Sequence, residues 1–374
     1  MAAGAVLAAA ALPAASAAAR HAAATAPTAW RAVPVPSSVV LPATLNDVSA
    51  AGVATAWAVG AEKETGVQSG TPLILRWNGR AWSKVALRGV PGPGSLNSVS
   101  ARSRSDAWAL GKDKSGTVLL HWNGLRWRAV GFPGQATATM SSVAVAPHGI
   151  AWLVGSRKNA AGASKILVER WNGVAWHIVA TGLGLGALTK VRVSADGDVW
   201  AAGADASFFP LIAHEHRGVW TSFKGPSPNV TTVNDLLARS AQDVWAVGFL
   251  SNPRAFAPTI SHWNGSTWTT VFVQSGVISQ NLSISPDLSG QPQWTGADSG
   301  LNPSVTLYAH FDGSMWSNVP GATPLSGVNV AFTVTAHIPG TNATWAVGGS
   351  AVFASQGTMP VSAIIEFNSG IPPA

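Results

Sequence analysis

The side chains able to do chemistry are few in this chain. Nine histidines and 16 acidic residues are spread over 374 positions. His214 and His216 are spaced to share one face of a strand, because alternate side chains point the same way. Such a pair is the smallest unit from which a metal site is built. His121, His262 and His310 each stand just before an aromatic residue, and Asp106, Asp198 and Asp243 each stand two residues before a tryptophan. An aspartate at a strand entry closes a turn on nearby backbone amides. Cysteine is absent, which removes thiolate nucleophiles, disulfides, zinc–thiolate sites and iron–sulfur clusters. Serine is plentiful, but no Gly-x-Ser-x-Gly elbow occurs.

Charge adds little. The formal balance is +7, yet only 10% of residues are charged, where an ordinary domain carries about 25%. The basic residues are scattered singly, 15 of the 23 being Arg, so the phosphate-tracking stripe of a nucleic-acid binder is missing. No specific nucleic-acid partner is expected. With 47% apolar residues the chain can bury a core, which excludes disorder for most of its length.

The elements that must position these residues form a repeat. One phrase recurs as Trp57-Ala-Val-Gly60, Trp108-Ala-Leu-Gly111, Trp152-Leu-Val-Gly155, Trp200-Ala-Ala-Gly203, Trp245-Ala-Val-Gly248, a degenerate Trp294-Thr-Gly-Ala297 and Trp345-Ala-Val-Gly348. A second phrase follows: Arg76-Trp77-Asn78-Gly79 then Trp82, with counterparts closing at Trp127, Trp176, Trp220, Trp268 and Trp316. The fourth copy is shortened to His216-Arg217-Gly218 before Trp220, and the last, Glu366-Phe367-Asn368, lacks a closing Trp. That Trp is at the other end of the chain, Trp30. Seven phrase tryptophans, four before Asn-Gly and seven closing ones account for all 18.

Each unit reads as four short strands, the last two joined by Asn-Gly or Asp-Gly, the turn chemistry in which both positions take positive φ. Four-stranded units at this period point to propeller blades, with the indoles filling the wedges between them. The expected fold is all-β, a single seven-bladed β-propeller over residues 29–370, closed by pairing of the N-terminal strand with the C-terminal blade.

These phrases resemble kelch-type propellers, closest to the Trp-rich variants of secreted bacterial proteins. The resemblance covers residues 29–370. It departs from the family in that the double glycine is reduced to one in most blades and the third-strand Tyr is Trp or Phe. It implies a fold and a ring of binding loops, not an activity.

Catalytic propellers fail on their residues. Galactose-oxidase-like copper enzymes need Tyr and Cys ligands, and Tyr308 is the single Tyr here. Sialidase-like enzymes carry Asp boxes, and the nearest match, Ser194-Ala-Asp196-Gly197-Asp198-Val-Trp200, has its Gly one place early and reads as a turn. Quinone-dependent propellers use a different Trp motif with acidic calcium ligands. His121, His262 and His310 fall in different blades and cannot meet on one ion. Arg76, Arg170 and Glu366 are read as filling the same slot, which makes it a packing position. No catalytic set, metal or cofactor is therefore expected.

The positions that converge are on the innermost strands. Val48, Val99, Val143, Val191, Leu236 and Ile284 align, and two residues earlier stand Asn46, Asn97, Ser141, Thr189 and Asn234. This polar ring at a channel mouth is a candidate site for a polar ligand or for ordered water. The other candidates lie on loops after the second strand: Lys63 in 60–72, Arg157 and Lys158 in 156–165, and Arg254 and Phe256 in 250–258. The reading is a non-enzymatic binding or scaffold protein, monomeric, with a protein or glycan ligand. A tectonin-like lectin is the first alternative, although the repeat uses every Trp. A propeller hydrolase or lyase is the second.

Residues 1–19 are mostly Ala with Val6, Leu7, Leu12 and Pro13, resembling a signal peptide with Ala15-Ser16-Ala17 as cleavage zone. A flexible leader over 20–28 and a tail at 371–374 complete the expected organisation. The mature protein is then secreted or envelope-associated, with no membrane span.

Overall fold

The computed structural model describes residues 29–65, 70–87, 94–194, 196–226, 230–252, 255–273, 280–355 and 357–370. The segments read as signal peptide, leader and tail lie outside these residues, as do Arg254 and the Phe256 side chain.

The protein is an all-β propeller of four-stranded antiparallel blades. The first sheet runs Ala43–Gly52, Thr55–Glu62, Thr71–Trp77 and Trp82–Lys84 from inside to outside. Four further separate sheets repeat this order, starting at Gly94, Ala138, Gly186 and Thr232. The expected seven blades are not seen as seven separate units: five four-stranded sheets stand alone, and the remaining eight strands form one sheet. Its 280–324 half and its 330–368 half are joined where Asp298 faces Phe332. The expected closure is present: Trp30, Arg31 and Ala32 pair with Asn368, Phe367 and Glu366 on the last strand.

Two features of the repeat now have a physical cause. The register of the inner strand slips by one residue between Leu45 and Asp47, and at the corresponding place in the next five inner strands. Each slip is a β-bulge, in which an extra residue bends the strand. The phrase glycine lies opposite the residue before the bulge, where the inner-strand backbone comes too close for a side chain. A Cβ on Gly60 would sit 1.9 Å from the Thr44 carbonyl oxygen, and one on Gly203 would sit 2.0 Å from that of Ala187.

The tryptophans fill the wedges between sheets, as expected. Trp57 of the first sheet packs on Trp122 and Trp127 of the second, with ring centroids 4.8 and 5.0 Å apart. Trp108 meets Trp171 and Trp176 of the third in the same way. Trp345 of the last strands meets Trp77 and Trp82 of the first sheet, which closes the ring by packing as well as by pairing. Trp30 takes the role of a closing Trp, edge-on to Trp294 at 5.1 Å.

The Asn-Gly hairpins depart from the expected two-residue turn. Gly79 has positive φ but Asn78 does not. Four residues separate the paired Trp77 and Trp82, and the Asn78 side chain accepts the Arg80 and Ala81 amides at 2.9 and 3.0 Å. The asparagine serves here as a side-chain cap, not as a left-handed residue. Both turn positions are left-handed in the shortened fourth copy, where Arg217 (φ 52°) and Gly218 (φ 87°) join His216 to Val219.

Candidate functional site

That shortened hairpin changes what its neighbours can do. In the first, second, third and fifth sheets the third strand ends on Trp77, Trp122, Trp171 and Trp263, each paired with the closing Trp. In the fourth sheet the residue paired with closing Trp220 is Glu215. The residue opposite Trp200, and so in the packing slot, is His214 and not His216. The last copy shifts too: Phe367 faces Trp345 and Glu366 faces Ala346, so Glu366 does not share the slot of Arg76 and Arg170. It is instead a buried acceptor for Thr306, Tyr308 and the Ala322 and Thr323 amides.

The missing fourth-sheet aromatic leaves a hole. Among the described residues Trp220 is the one aromatic that Trp152 of the third sheet meets across the wedge, at 5.8 Å. A groove of about 960 Å³ opens between the third and fourth sheets at the end where the inner strands turn over, with Trp152, Arg170, Ile178, Asp198, His216 and Arg217 among its walls. Arg170 lies over the Trp152 ring at 5.6 Å.

Contrary to the turn-closing role expected from sequence, the aspartates before the phrase tryptophans hold side chains. Asp106 accepts from His121 Nε2 at 2.9 Å and from Arg102 Nε at 2.7 Å. Asp243 holds His262 at 2.9 Å and Arg239 in the same arrangement. Each histidine lies flat on its phrase tryptophan, His121 on Trp108 at 4.1 Å and His262 on Trp245 at 4.2 Å. Burial opposes ionisation of Asp106, but the His121 and Arg102 hydrogen bonds outweigh it and hold the carboxyl below its ordinary range. In the sixth copy Pro292 stands at the aspartate position, and burial pulls the His310 imidazole below its ordinary value.

In the fourth sheet there is no arginine in this set. Asp198 accepts from His214 Nε2 at 2.8 Å and from His216 Nδ1 at 2.7 Å, and His214 stacks on Trp200 at 4.0 Å. Among the described residues this is the one set of three side chains placed to share a metal ion. Burial again opposes the charge on Asp198, and the His216 and His214 hydrogen bonds overcome it. The near-match to an Asp box is the turn beside this set, with Ser194 Oγ bonded to the Asp198 carbonyl at 3.0 Å.

The polar ring read from the sequence is the set of bulge residues. Asn46 donates to the Leu96 carbonyl and Ser95 Oγ of the next sheet, both at 2.9 Å, and Asn234 does the same to Asn281 at 2.8 Å. Asn97 and Thr189 are exposed and Ser141 is half-buried. Lys63 is exposed at the same end of the propeller. The expected 156–165 loop is mostly ladder: Arg157 pairs with Lys165 and Lys158 with Ser164. The 250–258 loop is likewise strand, paired out to Asn252 and Ala255. Extended pairing satisfies the backbone of these long connections, so less of each is free loop.

On the inner strands, residues unremarked in the sequence form a partly buried ion pair. Arg192 of the fourth inner strand grips fully buried Asp235 of the fifth through Nε at 2.8 Å and Nη2 at 2.5 Å. Arg192 borders a cavity of about 180 Å³ lined by the inner strands, including Val48, Leu236, Ile284 and His337.

These sheets wrapped around an axis define the class, a β-propeller. No family model matches the chain, and no curated protein matches it in sequence. Solved structures do. YCF48 bound to D1 peptide superposes with a TM-score of 0.58 at 14% identity, covering 92% of this chain and 98% of that one. YCF48 from Cyanidioschyzon merolae gives 0.57 at 16%, covering 91% and 98%. A protein of unknown function from Dyadobacter fermentans gives 0.54 at 10%, covering 92% and 100%. At these identities the likeness is one of fold.

Proposed function

We propose that this protein is an exported, non-enzymatic propeller that binds a protein partner as an extended segment in the groove between its third and fourth blades. The observation that carries the reading is the substitution of Glu215 for the aromatic that fills the corresponding wedge elsewhere. It leaves Trp152 and Trp220 as walls of a groove also lined by Arg170 and Arg217, the mix of apolar anchors and oriented charge that ligand sites use. YCF48, which shares the fold, has been solved with a D1 peptide bound, so peptide capture by such a scaffold has a precedent. We count the eight-stranded sheet as two kelch-like blades, giving seven, because each half holds four strands with its own phrase tryptophan. Export rests on residues 1–19.

The test is selection of binding peptides on the intact protein, followed by affinity measurement on variants. Glu215→Trp should fill the groove and weaken selected peptides by at least tenfold. Lys158→Glu, at the opposite end of the propeller, should leave them unchanged. Peptides that bind the Glu215→Trp protein as well as the parent would refute the groove reading. A glycan-array signal that survives the same substitution, with no peptide selected, would favour the lectin alternative and a site at the Asn97, Ser141 and Thr189 rim.

A further inference from the structure

We infer that Asp198, His214 and His216 form a site for a divalent transition-metal ion of the zinc class. The two other blades that carry an aspartate before the phrase tryptophan, the second and the fifth, act as internal controls. In the second and fifth sheets the second carboxylate oxygen is occupied by Arg102 or Arg239, a permanent cation that cannot ligate a metal. In the fourth sheet Ser194 stands where those arginines do, and a second imidazole takes the oxygen instead. The same register position is Asn123 in the second sheet and Asn264 in the fifth, where the side chain is engaged in capping its hairpin. In the tighter Arg217–Gly218 turn the Glu215 carboxylate accepts the Gly218 amide instead, so His216 is free to face Asp198.

The geometry suits an ion. The ligand atoms lie within 4.8 Å of one another. Bonds of about 2.0–2.2 Å place the ligands of a tetrahedral ion about 3.3–3.6 Å apart, within reach of small side-chain rotations. Stacking on Trp200 fixes the His214 ring, while His216 is 54% exposed and opens the set to the groove. Two imidazoles and one carboxylate suit zinc, cobalt or nickel better than calcium or magnesium. The ion would replace the hydrogen bonds that now join the imidazoles to Asp198, each ring binding in its neutral form through the nitrogen that faces the carboxylate. Three protein ligands leave a coordination position toward the groove, as in open zinc sites.

The test titrates Zn²⁺ and Co²⁺ alone into chelator-stripped full-length protein, so its outcome is independent of any peptide. One ion per chain is expected, with the visible absorption of a low-symmetry Co²⁺ site. His216→Ala should weaken Zn²⁺ by at least about 100-fold, since loss of a ligand exceeds the 10–100-fold typical of an outer partner. Asp198→Asn should do the same, with folding checked by circular dichroism. His121→Ala in the second sheet should change nothing. No stoichiometric binding, unchanged binding by His216→Ala, or loss caused instead by His177→Ala in the groove wall would overturn the assignment.

Discussion

Asp47 Oδ2 accepts the backbone N–H of Val99, on the inner strand of the next sheet, at 2.9 Å. The contact is one link of a ring. Ser98 accepts from Val143, Ser142 from Val191, Asp235 from Ile284 and Ser283 from Thr335. Each acceptor directly follows a bulge, and each donor except Thr335, whose strand has an unbroken register, follows the next one. The ring is interrupted where the acceptor position is Lys190 or Val334. There the following sheet supplies an aspartate that takes its own neighbour's amide: Asp235 Oδ1 holds Leu236 at 2.9 Å, and Asp47 Oδ1 holds Val48 at 3.0 Å. A carboxylate, with two oxygens, covers both the missing link and the next one.

Asp47→Ala should therefore strand two buried amides and Ser98→Ala one. At about 1–3 kcal/mol per unpaired buried group, the first should cost roughly twice the second. Urea denaturation of both variants checks this, and equal losses would contradict the ring.

The Asp235 carboxyl lies below its ordinary range, because the Arg192 charge overcomes burial. A depressed folded pKa stabilises above the unfolded value of about 3.9, and that contribution is lost as pH falls through the folded value. The parent should hold its urea midpoint from pH 8 to 5 with respect to this group and lose it below about pH 4. Asp235→Asn should be weaker at pH 7 and show a shallower acid limb. An identical acid limb in both proteins would sink the claim.

Trp30 stacks on Tyr308 at 4.0 Å and meets Trp294 edge-on, so Trp30→Ala should cost about 3–5 kcal/mol, like other buried aromatic truncations. Removing residues 1–34 should do more, since it also uncovers the edge of the last strand. We expect early melting or aggregation by circular dichroism and light scattering. A truncated protein that melts with the parent would show that the ring closes without this strand.

Gly203→Ala adds one methyl, yet its Cβ would meet the Ala187 carbonyl oxygen at 2.0 Å. Backbone must move, and overpacking of this kind costs about 1–3 kcal/mol. Thermal denaturation should show the loss, whereas Gly173→Ala, where no atom lies within 4 Å, tests the separate cost of its positive φ.

Much of the fold was legible in the residues alone. A tryptophan phrase of fixed period announces a repeat whose units must stack, and an orphan closing strand at Trp30 announces which ends meet. Both follow because a blade is a local object, built from strands adjacent in sequence. What crosses between strands was not legible. The roles of Asp106 and Asp243 depend on which histidine and arginine the pairing register brings within 3 Å. The work of Asp47 and Asp235 depends on the neighbouring sheet. The groove stands between. Its cause, the absent third-strand aromatic in the fourth copy, is written in the sequence. That Glu215 empties a wedge, and that the shorter turn swings His216 onto Asp198, was decided only when Trp152 and Trp220 were packed from adjacent sheets.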